Sequence, residues 1–226
     1  MSLTKKRLKY FATVVLVIGF IQSSVLRAQN SDLGNWLIYI GSKQINTKWN
    51  LHHEIQYRNY DALSDLEQLL LRTGIGYSFN EGQNNLLMGY GFIHSQNHKE
   101  NINNKTIVDE HRIFQQFIAK QNVGQFKIQH RYRFEQRFVE SDFKLRFRYF
   151  LGATMPLSKA ENNKFYLSAY NEIFLNSKSS IFDRNRLYGG FGYSLNKNIR
   201  FELGYMNQSF ETNSRDQVNI ISFVTF

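Results

Sequence analysis

Arginine and glutamate fall on every second position along several stretches of this 226-residue chain. Arg131, Arg133 and Glu135 alternate with Tyr132 and Phe134, and Arg146 and Arg148 alternate with Leu145, Phe147 and Tyr149. The same alternation places Glu54, Arg58, Arg72, Glu110, Arg112, Glu172, Arg184, Arg186, Arg200 and Glu202 on one parity of their segments. Guanidinium and carboxylate groups so spaced can do two kinds of chemistry. They can pair bidentately, fill a narrow interior and hold neighbouring strands in register. Where arginine exceeds acid, as it does in this set, they can also form an anion-preferring lining or a site for an acidic ligand. The sequence leaves both readings open.

Other reactive side chains form no constellation. His52, His53, His94, His98, His111 and His130 are scattered, and no serine-containing motif stands beside them. His94 and His98 lie close to a polar stretch, but two ligands do not define a metal site. Cysteine is absent, which excludes disulfides, thiolate metal centres, a cysteine nucleophile and a lipoprotein anchor. No glycine-rich phosphate loop occurs; the glycines read as strand positions that ease packing. Nucleic-acid-binding sheets carry aromatic and basic groups on the same face, whereas here the two fall on opposite faces. The sequence therefore predicts no catalytic residues, no metal, no cofactor and no nucleic-acid partner. It names no small-molecule ligand.

The elements that carry these residues have a period of two, which is the period of a strand with two unlike faces. In the segment 124–140, Phe126, Ile128, His130, Tyr132, Phe134 and Phe138 oppose Lys127, Gln129, Arg131, Arg133, Glu135 and Arg137. Similar alternation recurs to the end of the chain and gives ten strands from Trp49 onward. Proline occurs once, at Pro156, so little interrupts them. Turn-forming residues separate them at 80–84, 139–142, 196–198 and 212–216, with longer polar stretches at 95–106 and 176–183. Short turns at one end and longer loops at the other would be the asymmetry of an outer-membrane barrel. A rival signal is local: Ser64-Asp65-Leu66-Glu67 matches a helix capping box, although Thr73–Phe79 reads as strand. The segment Gly34–Ser42 looks extended but shows no clean alternation, and bacterial barrels have even strand numbers.

Alternation alone does not say which face is inside. Long strands, a large aromatic set near strand ends and a chain ending within a strand favour a membrane over a soluble sandwich. The expected fold is an all-β, antiparallel up-and-down transmembrane barrel of ten to twelve strands, with the charged parity facing the lumen. Charge belongs there because arginine or lysine facing lipid costs about 2–4 kcal/mol at the midplane.

Upstream, residues 1–28 read as a cleaved signal peptide: a basic start, the apolar run Phe11–Ile21, and Ala28 before a polar beginning. Cleavage there would remove five of the 28 basic residues and none of the 18 acidic ones, leaving a net charge of +5 in place of +10. Residues 29–48 would form an N-terminal segment with an extra strand, and 49–226 the barrel. The last strand, with Val218, Ile220, Val224 and terminal Phe226, resembles the C-terminal sorting signal of outer-membrane barrels. That resemblance implies the bacterial outer membrane as location, with membrane lipid and the outer-membrane assembly machinery as partners. More narrowly, His53-Glu54-Ile55-Gln56-Tyr57-Arg58, the run Arg72–Tyr77 and the run Glu110–Gln116 are similar to an uncharacterised outer-membrane barrel family catalogued as domain of unknown function 2490. The resemblance implies a fold and a place, and no activity. The expected role is structural, surface interaction or limited permeation. Two other readings compete: an outer-membrane lipid-modifying enzyme, and a soluble periplasmic lipocalin-like ligand binder with apolar residues inside.

Overall fold

The computed structural model describes residues 33–61, 65–99, 102–160, 162–178 and 180–226. The expected signal peptide lies outside the described residues. Among the described residues there is no helix; the chain forms eleven strands. They are β1 (Gly34–Gln44), β2 (Trp49–Asn59), β3 (Leu66–Phe79), β4 (Asn84–Lys99), β5 (Ile102–Val123), β6 (Phe126–Val139), β7 (Asp142–Pro156), β8 (Phe165–Asn176), β9 (Phe182–Ser194), β10 (Ile199–Ser209) and β11 (Ser214–Thr225). Each pairs antiparallel with the next in sequence, and the ring closes into a barrel. The capping-box signal does not produce a helix: strand structure begins at Leu66, because Leu66–Phe79 finds ladders with both β2 and β4.

The count of eleven lies within the expected ten to twelve, and it is odd where bacterial barrels are even. An odd number of alternating strands leaves the first and last pointing the same way. β1 therefore pairs with β11 in parallel, from Gly34↔Gln217 to Ser42↔Thr225. The extra strand is Gly34–Ser42. Its missing alternation has a simple cause: Trp36, Ile38 and Ile40 turn inward while Leu37 and Tyr39 turn outward, so both faces are apolar.

The same closure sets Gly34 and Phe226 at opposite ends of the barrel. The connections 45–48, 80–83, 124–125, 157–164 and 195–198 lie at the Phe226 end. Local chemistry makes several of them. The Asn46 side chain accepts the backbone N–H groups of Lys48 and Trp49 at 2.9 Å, and Asn196 does the same for Asn198 and Ile199. Gly124 opens a tight turn at φ +62°, where a side chain would be strained. The expected contrast between short turns and long loops does not appear. The stretch 95–106 is mostly ladder, since β4 and β5 stay paired through His98↔Lys105. This hairpin rises past the last pairs of its neighbours, Gln68↔Ser95 with β3 and Glu110↔Val139 with β6.

The outer wall is apolar. Phe126, Tyr132, Phe143 and Phe147 are each 40–43% exposed. An aromatic chain runs around the wall from Trp49 through Tyr77, Phe79, Phe117 and Tyr132 to Tyr149, with ring centroids 5.0–6.5 Å apart. Gln115 and Gln136, outward on β5 and β6, satisfy each other, the Gln136 amide donating to Gln115 at 3.1 Å.

Candidate functional site

The lumen is built in layers from inward glycines, rings, guanidinium groups and carboxylates. Glycine comes first, because a flat ring can lie on the wall only where no Cβ stands. A Cβ at Gly89 would meet Phe114, one at Gly192 would meet Tyr166, and one at Gly190 or Gly204 would meet Tyr188. Guanidinium groups then cover the inward rings. Arg58 lies 3.8 Å from the Trp36 centroid, Arg148 4.4 Å from Phe174, Arg131 4.5 Å from Phe150 and Arg133 4.8 Å from Phe114.

Carboxylates tie the guanidinium groups together. Glu135, 1% exposed, accepts Arg146 Nη2 at 2.6 Å and Arg148 Nη1 at 2.8 Å. Glu172 accepts Arg148 Nη2 at 2.8 Å and Arg131 Nη2 at 2.7 Å. Asp183 accepts Arg146 Nη1 and Arg184 Nη2, both at 3.2 Å. The result is a chain of alternating charge across β6, β7, β8 and β9. Glu110 holds a second group, Arg112 Nη2 and Arg137 Nη2 both at 2.9 Å. Glu54 pairs with Arg72 Nη1 at 2.7 Å.

The remaining sequence-predicted residues have other partners. Arg58 donates to Gln68 at 2.6 Å and Arg186 to Gln208 at 2.7 Å. Glu202 accepts the hydroxyls of Tyr166, Ser168 and Tyr188 at 2.9, 2.8 and 3.3 Å. Arg200 is exposed and stacks 4.1 Å from the Phe223 ring. Val218, Ile220 and Val224 lie outward on β11, and Phe226 ties to β1, its backbone N–H donating to the Ser42 carbonyl at 2.9 Å.

Two network members escaped the sequence reading. Arg137 stands on the charged parity of its strand and was the signal to follow. Asp183 lay in a stretch read as loop. Trp36, Phe114 and Phe174 also face inward, and only their parity could have shown it.

A cavity of about 1590 Å³ occupies the lumen. It is lined by eleven arginines, and Thr47, Gln83, Asn163 and Asn196 show that four of the five connections at the Phe226 end border it, with Asn122 and Lys127 lining it on the strands beside the fifth. Among the described residues, none from the connections at the Gly34 end does. The cavity opens at the Phe226 end, and its lining reaches the other way as far as Glu67, Asn97 and Val139.

Outside the lumen, two histidine–aspartate pairs sit at the Gly34 end. His94 Nδ1 meets Asp109 at 2.7 Å and His98 Nε2 meets Asp65 at 2.6 Å. Among the described residues no serine hydroxyl bonds to either histidine, and no group of three or more potential metal ligands forms.

A sequence-family model described as "Protein of unknown function (DUF2490)" matches residues 33–219, from the start of β1 to midway along β11. An uncharacterized protein of Methylorubrum extorquens is 29% identical over 170 residues, covering 70% of this chain and 71% of that protein. No solved structure matches the chain.

Proposed function

This chain belongs to the DUF2490 family of proteins of unknown function, and we propose that it is an integral outer-membrane barrel with a plugged lumen. One observation carries the reading. The outer wall presents a continuous aromatic belt, while the strand arginines that build the ion-pair network are turned inside. Such a wall would be poorly solvated in water and is what a bilayer interface favours. Outward polar side chains such as Gln115 and Gln136 pair with each other, which suits a medium without water. The terminal strand and Phe226 would be the part handed to the assembly machinery, and the Phe226 end would then face the periplasm.

The network makes the barrel a cup rather than a channel. Its role is to hold a ligand or a partner at the membrane, with permeation closed by the ion-paired belt of Glu110, Glu135 and Glu172. Expression in a Gram-negative host tests the location. The protein should fractionate with outer membranes and migrate faster on a gel before boiling than after. Recovery in the soluble periplasmic fraction would refute the reading. In planar bilayers the purified protein should carry no steady current.

A further inference from the structure

The walls of the cup differ from one side to the other. β1 and β11 turn Ile38, Ile40, Ile221 and Phe223 inward. Ile38 and Ile221 belong to a buried cluster with Trp36, Tyr188 and Met206, and the partly buried Ile40 and Phe223 pack against it. β6 stands five strands away from each of them around the ring, directly opposite. That side carries Lys120 and Lys127 near the mouth and Arg131 and Arg133 deeper in.

The charged side is not self-sufficient. Arg133 is 2% exposed, and Gln116 accepts its Nε at 2.8 Å and its Nη2 at 2.5 Å. Its Nη1 has no hydrogen-bond partner, with Glu135 3.8 Å away. Arg131 Nε is likewise buried without a partner. A buried guanidinium with an open donor is costly unless an anion completes it. At the mouth, Lys120, Lys127, Lys164, Lys197 and Arg200 line the cavity against Glu81. Such a ring focuses negative solutes toward the opening.

We propose that the cup binds an amphipathic anion, its carboxylate or phosphate head on the β5–β6 wall and its apolar body against β1 and β11. The apolar sector is the reason for the second half of that description. A site for a bare inorganic anion has no use for Ile40 and Phe223, which stand partly open above the buried cluster. The cavity exceeds the roughly 300–1,000 Å³ of ordinary small-molecule pockets, so a chain of several carbons fits. This proposal deepens the reading of the lumen as a cup.

The test is equilibrium dialysis of the full barrel in lipid nanodiscs against radiolabelled octanoate, with empty nanodiscs subtracted. Inorganic phosphate and octyltrimethylammonium are the comparison probes. Octanoate should bind saturably and more tightly than either, and more weakly as salt is raised. The double variant Lys120→Glu/Lys127→Glu should weaken it about tenfold or more. Ile40→Asn should weaken octanoate and leave phosphate unchanged. Equal binding of octanoate and octyltrimethylammonium would overturn the anionic half, and phosphate binding as tight as octanoate would overturn the apolar half. Absence of saturable octanoate binding would overturn the whole. Heat-modifiable migration is recorded for every sample. An intact barrel without binding rejects the ligand site alone, whereas a barrel absent from the outer membrane rejects the proposed location.

Discussion

Glu135 touches more cations than any other carboxylate in the lumen, and its environment shows how the plug responds to single changes. It accepts Arg146 and Arg148 and lies 3.8 Å from Arg133. Glu135→Gln keeps the shape and removes the charge, leaving three guanidinium groups crowded and under-compensated. Breaking a buried pair from one side costs about 3–5 kcal/mol, so the variant should lose its heat-modifiable form at clearly lower urea concentration. The glycines make a sharper contrast. A Cβ at Gly89 would sit 2.4 Å from both the Phe114 ring and the Thr73 carbonyl oxygen, whereas one at Gly189 meets nothing within 4 Å. Gly89→Ala should destabilise by roughly 1–3 kcal/mol and Gly189→Ala by less than about 0.5 kcal/mol, read from the same urea titration. Parity alone made the arginines and glutamates legible as one set in the sequence. Their partners were not legible, because which guanidinium meets which carboxylate depends on register between strands. Arg148, for example, meets Glu172 only because Arg148↔Phe174 and Phe150↔Glu172 are the pairs that form.

Strands were readable wherever the two faces differed in polarity, as in β6 and β7. β1 was readable as an extended segment but not in its faces, since Trp36 and Ile38 inside are as apolar as Leu37 and Tyr39 outside. The long hairpin of β4 and β5 was obscured for another reason: its polar residues from Ser95 to Thr106 look like loop, yet backbone pairing does not require apolar side chains. That hairpin is fastened to the β2–β3 connection by Asp65, which accepts His98 Nε2 at 2.6 Å and pairs with Lys105. Burial works to raise the Asp65 carboxyl, but the hydrogen bonds from Lys105 and His98 outweigh it and hold the group below its ordinary value of 3.8. Tyr60 lies beside the same cluster. Because the folded value is the lower one, the stabilisation is complete above the ordinary carboxylate range and is lost as pH falls through the folded value. Amide-exchange protection at Leu66 and Lys105 should therefore hold at neutral pH and drop below about pH 4. Asp65→Asn should show weaker protection at neutral pH and no such drop.

At the scale of the whole molecule, the strand count is a property that no local stretch of sequence carries. Ten strands with clear alternation and one without could close as ten or as twelve, and only the complete ring settles on eleven. The inside–outside assignment is also global: eleven lumenal arginines can be accommodated because the carboxylates, glutamines and rings of many strands converge on them. Removing several ties together should open what single changes only loosen. A Glu110→Ala/Glu135→Ala/Glu172→Ala variant that still inserts should pass anions in a planar bilayer, where the parent stays silent. If the variant folds and remains silent, the belt is not what blocks the lumen.

The parallel seam between β1 and β11 also determines how the barrel would yield to force. Handles attached at Gly34 and Phe226 draw two neighbouring strands past each other lengthwise, so the bonds of that ladder share the load together. In a barrel with even strand number the handles sit at one rim and peel the seam open one rung at a time. Optical-tweezer traces of this protein should accordingly begin with a single abrupt rupture at high tension, followed by strand extraction, and not with a gentle staircase.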